Sequence, residues 1–229
     1  MNTLYNEVIS FIDKDEKIKS VMDSISRNAN IYLFGGAVRD YLDSNFCHFR
    51  DLDFVIEFND SNLSIENFLN DSFKFKKNHF NGYKFMSKYY CIDIWELKDT
   101  WAFRENLYPI TIENLFKTVY FNVDKVIYSM TTQTYVNDCN IAYEEIMKNK
   151  ILDVVLTNNP MIELNLLRAI KICQKYDMDI SDKLKSIFIE QLQDESFISK
   201  LQFFQQSHYG EDALSKPYFQ KIIYQLLNK

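Results

Sequence analysis

The sequence predicts an α/β (α+β) chain: a small mixed sheet flanked by helices over residues 1–138, then an all-helical part over residues 139–229. Three observations predict it. DLDFVIEF, Asp51 to Phe58, alternates strictly, with Leu52, Phe54, Ile56 and Phe58 on one face, as a strand with one buried side does. NIYLFGGAVRDYL, Asn30 to Leu42, reads as a short buried strand that stops at a glycine pair and gives way to a helix. From about Ile141 onward, apolar residues recur at helical spacing.

The remaining elements follow in chain order. Residues 3–26 carry Leu4, Val8, Phe11, Ile12, Ile18 and Val21 at helical spacing, which predicts one or two amphipathic helices. SIENFLNDSF reads as a helix, and GYKFMSKYYCIDIWEL as a hairpin turning at Ser87-Lys88. Trp101 to Lys117 reads as helical, interrupted at Pro109, and VYFNVDKVIYSMTTQTYVND as a further strand pair. The helical part comprises AYEEIMKNKIL, ELNLLRAIKICQKYD, SDKLKSIFIEQLQ and Phe219–Leu227.

Composition bounds the function. The chain of 229 residues is long enough for one sizeable core or two small ones, and 47% apolar residues make it globular. A net charge of −6 argues against a long nucleic-acid track, because such affinity comes from phosphate neutralisation. Cys47, Cys91, Cys139 and Cys173 are scattered without zinc-ligand spacing, as in reduced cytosolic proteins. Acids interrupt the apolar pattern of the first twenty residues, so they read as neither signal peptide nor membrane span. The expectation is a cytoplasmic protein without a membrane partner.

The acids carry the chemistry. On a strand, residues two apart share a side, so Asp51 and Asp53 present two carboxylates opposite the apolar stripe. Like charges so close favour a cation between them, and magnesium, or manganese in its place, suits hard oxygen donors and substrate phosphates. Gly35-Gly36 allows backbone to approach a triphosphate closely as the helix opens. In CIDIWEL, Asp93 shares a face with Cys91 and Trp95 and can accept a proton from an attacking hydroxyl. Singly, each feature is commoner as a turn, a solvated strand edge or a Lys84 ion pair; their order and spacing are what reinforce one another. Trp95 and Trp101 read as core rather than as stacking platforms, and KFKKNHFNGYKF, Lys74 to Phe85, as either a nucleic-acid contact or an exposed hairpin.

GGAVRDYL followed by DLD resembles the head domain of class II tRNA nucleotidyltransferases (CCA-adding enzymes) and bacterial poly(A) polymerases, within the DNA polymerase beta-like nucleotidyltransferase superfamily. The resemblance covers about residues 30 to 185 and implies a nucleotidyltransferase head over 1–138 followed by a neck-like domain over 139–229. It implies Asp51, Asp53 and Asp93 as metal ligands and catalytic acids. Gly35, Gly36 and Arg39 would hold the triphosphate, and Arg168, on the neck helix, would bind nucleotide. In the family an Asp and an Arg of the neck read the incoming base; on an ungapped reading Ile162 and Asn165 occupy those places here, and Lys171 replaces another arginine.

The expected activity is magnesium-dependent transfer of a nucleoside monophosphate from an NTP to a hydroxyl, with an RNA (tRNA-like) 3′ end as acceptor and pyrophosphate as the second product. The acidic balance keeps a small-molecule or protein hydroxyl open as the acceptor. A non-catalytic nucleotide-binding relative, or an interaction module, is the rival of another class.

Overall fold

The computed structural model describes residues 3–43, 46, 48–49, 51–69, 75–86, 91–210 and 216–228. They form two compact units: Met1–Val119 with Asp124–Tyr143, and Tyr120–Val123 with Glu144–Lys229.

The first unit opens with helices α1 (Leu4–Ile12) and α2 (Glu16–Ser26). Their starts are fixed by side-chain caps: Thr3 Oγ1 accepts from the Asn6 N–H, and Asp15 Oδ1 from those of Lys17 and Ile18. Each helix buries one stripe, Leu4, Val8, Phe11 and Ile12 in the first and Ile18, Val21, Met22 and Ile25 in the second. Then come β1 (Ala29–Phe34), α3 (Gly36–Leu42), β2 (Asp51–Phe58), β3 (Phe75–Lys77), β4 (Tyr83–Met86) and β5 (Cys91–Glu96). Short helices α4 (Trp101–Arg104) and α5 (Ile112–Leu115) precede β6 (Ile127–Ser129) and β7 (Thr134–Tyr135).

Among the described residues these strands make one mixed sheet in the order β3-β4-β5-β2-β1-β6-β7. The central strand β2 runs antiparallel to β1 and parallel to β5. Its alternation works as the sequence indicates: Leu52, Phe54 and Ile56 are at most 1% exposed, and register sets Leu52 beside Ile92 and Phe54 beside Ile94. The other face is closed over only half its length. There Tyr32, Val55 and Ile127 join Leu97, Phe103 and Leu115 in a second buried cluster, while Asp51 and Asp53 lie toward the open end. Burying a side chain such as Phe54 contributes about 1.5–3 kcal/mol, so the two clusters anchor β2 from both sides and fix the acids at its start.

The second unit takes in α6 (Cys139–Asn149) from Glu144 on, α7 (Ile162–Tyr176), α8 (Asp182–Gln191), α9 (Phe197–Tyr209) and α10 (Lys216–Leu227). It is helical apart from a two-residue parallel pair, β8 (Ile151–Leu152) with β9 (Asp179–Ile180). Residues Tyr120–Val123 are tied to it by Asn122 N–H to the Asp153 carbonyl, 3.0 Å, and Val155 N–H to the Tyr120 carbonyl, 2.8 Å.

Several elements differ from expectation. SIENFLNDSF keeps only a 3-10 turn, Ile65–Phe68, which stops where Leu69 becomes extended; residues 70–73 lie outside the described residues. The segment from Trp101, expected as helical with a break at Pro109, does break, into the short α4 and α5, and the break begins earlier, at Asn106, which takes a left-handed φ of 56°. The hairpin of β4 and β5 is present, while its expected turn, Ser87-Lys88, lies outside the described residues. Of the last strand pair, Tyr120–Val123 packs into the second unit, and only Ile127–Ser129 and Thr134–Tyr135 join the sheet.

Candidate active site

β1 and β2 build the site between them. Their register, ending at Leu33 beside Phe54, brings the end of β1 level with the acids at the start of β2. Gly35 turns the chain there with φ 63° and ψ −120°, a conformation that a side chain disfavours. Its N–H donates to the Val126 carbonyl at 2.9 Å, and although Gly35 is buried, among the described residues no atom lies within 4 Å of a Cβ built on it. Gly36 is the first residue of α3, and a Cβ there would meet only Arg39 Nη2, at 3.6 Å.

Register also joins the acids. Asp53 stands beside Asp93 across the parallel β2–β5 pair, and Asp51 stands beside Cys91, so the three carboxylates share one face near the open end of the sheet. Asp51 is exposed, and Asp53 and Asp93 are half-buried. Asp93 is not bare: Lys84, opposite it on β4, places Nζ 2.9 Å from Asp93 Oδ2. Burial works to lower the Lys84 ammonium, but the hydrogen bond and charge of Asp93 outweigh it and hold the ammonium above its ordinary value. Burial, then the charge of Asp93, pushes the Cys91 thiol up, so it is a poor nucleophile at neutral pH. The donor set is of the hard oxygen kind that magnesium takes. Among the described residues, however, no group of three His, Cys, Asp or Glu side chains is gathered tightly enough to hold a metal by itself.

Arg39 faces inward. It pairs with Asp40, 3.2 Å, and with Asp124, a carboxylate only 6% exposed. These bonds tie α3 to the segment before β6 and brace the glycine turn from behind. Arg168 stands half-buried on α7 of the second unit. Asn165, one turn earlier, is 4% exposed and donates from Nδ2 to Asn159 Oδ1 at 2.8 Å within that unit.

A cavity of about 400 Å³ opens beside the acids, over β5 and β4. Asp53, Asp93 and Lys84 line it together with the rings of Phe34, Phe80, Trp95 and Trp101, all four half-buried. Trp95 packs against the cluster of Tyr32, Val55 and Leu97, as expected of a core residue, and both tryptophans, half-buried, also line this space. One wall is the turn between β3 and β4, closed by Asn78 N–H to the Gly82 carbonyl at 2.8 Å and by Asn78 Oδ1, which accepts from Phe80 and Gly82 N–H. Gly82 is required there, because a Cβ would come within 2.9 Å of Asn78 Nδ2 and 3.4 Å of Trp95 Cβ. Asn81 donates to Asp99 and Arg104 to the His79 carbonyl, which fastens the turn to the segment around α4. Aromatic residues in NHFNG and DTW were visible in the sequence, but only the fold brings them together.

This arrangement, a mixed sheet with acids on its central strands and a helical part after it, is the fold of a nucleotidyltransferase head. Among solved structures, the chain is similar to a CCA-adding enzyme in complex with CTP, with TM-score 0.61 and 17% identity, over 96% of this chain and 54% of that one. It is similar to a tRNA-processing enzyme in an apo form, with TM-score 0.60 and 18% identity, over 93% and 58% of the two chains. It also matches the Thermotoga maritima CCA-adding enzyme complexed with tRNA, with TM-score 0.59 and 17% identity, over 90% and 49%. The chain spans about half the length of these structures, and at such identity the likeness is one of fold. No protein-family model matches the chain, and no curated protein sequence does. Among the described residues no helix is long and apolar enough to cross a membrane.

Proposed function

We propose that this protein transfers a nucleoside monophosphate from an NTP to the terminal hydroxyl of an RNA, releasing pyrophosphate. The observation that carries the reading is the register of Asp53 with Asp93, with Asp51 two residues along, level with the glycine turn that ends β1. Three carboxylates on one face of the sheet favour a cation close by, and Lys84 pairs with Asp93. Asp51, Asp53 and Asp93 are the residues that would hold magnesium, with nucleotide phosphates completing its shell. Bound there, the metal would supply charge neutralisation of the triphosphate.

The chain's own groups account for the rest. The backbone of Gly35 and Gly36 lets the triphosphate approach without a side chain between, and the Arg39–Asp124 pair keeps that turn in place. The acceptor oxygen bonds to the α-phosphorus as the bond to the β-phosphate oxygen breaks. Asp93 accepts the hydroxyl proton. Asn165 is almost wholly buried and bonds Asn159 inside the second unit, so choice of base is not assigned to it and similar acceptance of CTP and ATP is expected.

Thermal-shift titration tests the reading. Each NTP is added with and without magnesium, and metal-dependent stabilisation that disappears in Asp53→Ala supports it. Absence of any shift at millimolar NTP and magnesium would leave a scaffold without nucleotide chemistry.

A further inference from the structure

We propose a second ligand site, remote from the acids: a cavity between α1, α2 and the far face of the sheet that takes a small organic amine, a compact aliphatic or aromatic body carrying one protonated nitrogen. The cavity lies wholly within the first unit, and its ligand stands whether or not the transfer reading does.

The apolar half of the ligand is set by the floor. Ile12, Met22, Ile31 and Phe54, all buried, meet there from two helices and two strands, and the half-buried Ile9 and Met130 extend the lining. The volume, about 270 Å³, lies just under the range of drug-sized sites, so the occupant is small. The wall between β6 and β7 is fixed before a ligand arrives: Met130 N–H donates to the Ile31 carbonyl at 2.9 Å, and Ile31 N–H to Thr131 Oγ1 at 3.1 Å.

The charged half is set by the rim. The charged groups lining the cavity are Asp13 and Asp23 against Lys19, two carboxylates and one ammonium, so the lining is negative by one charge. Lys19 Nζ lies 2.9 Å from Asp13 Oδ1 but 3.6 Å from Asp23 Oδ2, and only the first is a hydrogen-bond distance. Asp23, 54% exposed, therefore keeps its acceptor positions for a ligand. An ammonium on an apolar body meets both demands: the body covers the floor, and the charge balances the rim. A carboxylate or phosphate would face two anions there. Strand alternation sets this site apart from the other. Phe54 floors it, while its neighbour Asp53 lines the cavity on the opposite face of β2, so amine and nucleotide can be bound at once.

A ligand-detected NMR titration of the full-length protein with 2-phenylethylamine tests the site, with 2-phenylethanol as the same body without the charge. The expected result is saturable binding of the amine with a Kd of roughly 1 mM, as suits so small a ligand, and clearly weaker binding of the alcohol. Asp23→Asn should weaken the amine about two- to fivefold, the worth of one exposed charge pair. Lys19→Met removes the competing ammonium and should tighten it by a similar factor, about two- to fivefold. Both side chains reach the surface, so both variants should melt close to wild type, which scanning fluorimetry checks. The affinity should be unchanged in Asp53→Asn, which alters only the other face of β2. Absence of saturable binding, an alcohol that binds as tightly as the amine, an unchanged Asp23→Asn, or a Lys19→Met protein that binds no more tightly than wild type overturns the proposal. An affinity that falls in Asp53→Asn places the amine at the acids instead and overturns it as well. The titration needs neither metal nor NTP, so its failure is distinct from a failure of nucleotidyl transfer.

Discussion

Gly35 and Gly36 are adjacent in sequence, yet substitution by alanine should affect them in opposite ways. At Gly35 the backbone has φ 63° and ψ −120°, and a Cβ meets no described atom within 4 Å, so the whole penalty is conformational. Holding a non-glycine residue in such a region costs about 1–3 kcal/mol. For a chain of this size, each kcal/mol lowers Tm by about 2–4 °C, so Gly35→Ala should melt about 2–12 °C lower. Gly36 is helical, and its Cβ would touch Arg39 Nη2 at an ordinary 3.6 Å. Alanine there should leave stability unchanged or raise it by about 0.4–1 kcal/mol, through a less flexible unfolded chain. If the pair cradles phosphate, that methyl group blocks the approach, and a lost charge-assisted hydrogen bond of about 1.5–3 kcal/mol weakens NTP tenfold or more. Scanning calorimetry followed by NTP titration with magnesium separates the two effects. A Gly36→Ala protein that binds NTP as tightly as wild type refutes the cradle, and an unchanged Tm in Gly35→Ala refutes the conformational argument.

Arg39→Ala should destabilise the first unit by about 3–5 kcal/mol, since it leaves the buried Asp124 without its guanidinium; denaturant unfolding measures this, and a loss below 1 kcal/mol would contradict it. Lys84→Met removes a cation from a pair that is 42% exposed on the lysine side, so stability should fall by under about 1 kcal/mol. With Asp93 left beside Asp53, added magnesium should then raise Tm more than in wild type, and an equal rise would count against a shared cation site. Because the Lys84 ammonium is raised above its ordinary 10.5, the pair's contribution is full below that pH and is lost only as pH climbs through the raised value; stability near neutral pH should not depend on it titrating. CTP and ATP should shift Tm to within a few degrees of each other, as measured by scanning fluorimetry, and strong preference for one would return base selection to the neck helix.

The elements legible in the sequence were those whose cause is local. β2 declared itself because one face is wholly apolar, and the turn after β1 because Gly35 adopts a backbone that other residues avoid. The face shared by Asp51 and Asp53 follows from strand periodicity alone. What joins distant segments was not legible. Asp53 and Asp93 are brought level by a parallel pairing, whose register the intervening hairpin hides. Arg39 finds Asp124 across 85 positions, a pairing that no local pattern announces. Helix α9 went unread because its aromatic residues blur the apolar period, although Gly210, left-handed at φ 61°, was a stop signal that could have revealed it. Trp95 and Trp101 read as core, and Trp95 does pack on the buried cluster; only the fold shows that both also line a cavity with Phe80.

The central claim is that the acids of β2 and β5 serve nucleotidyl transfer. It is tested by incubating the protein with labelled CTP or ATP, magnesium and an RNA with an unpaired 3′ end, and following both lengthened RNA and pyrophosphate. The account predicts that the two products appear together, one pyrophosphate for each nucleotide added, and that Asp51→Asn and Asp53→Asn abolish both while melting like wild type. Transfer that survives in Asp53→Asn, or a folded wild-type protein that binds NTP yet labels no RNA, would contradict it.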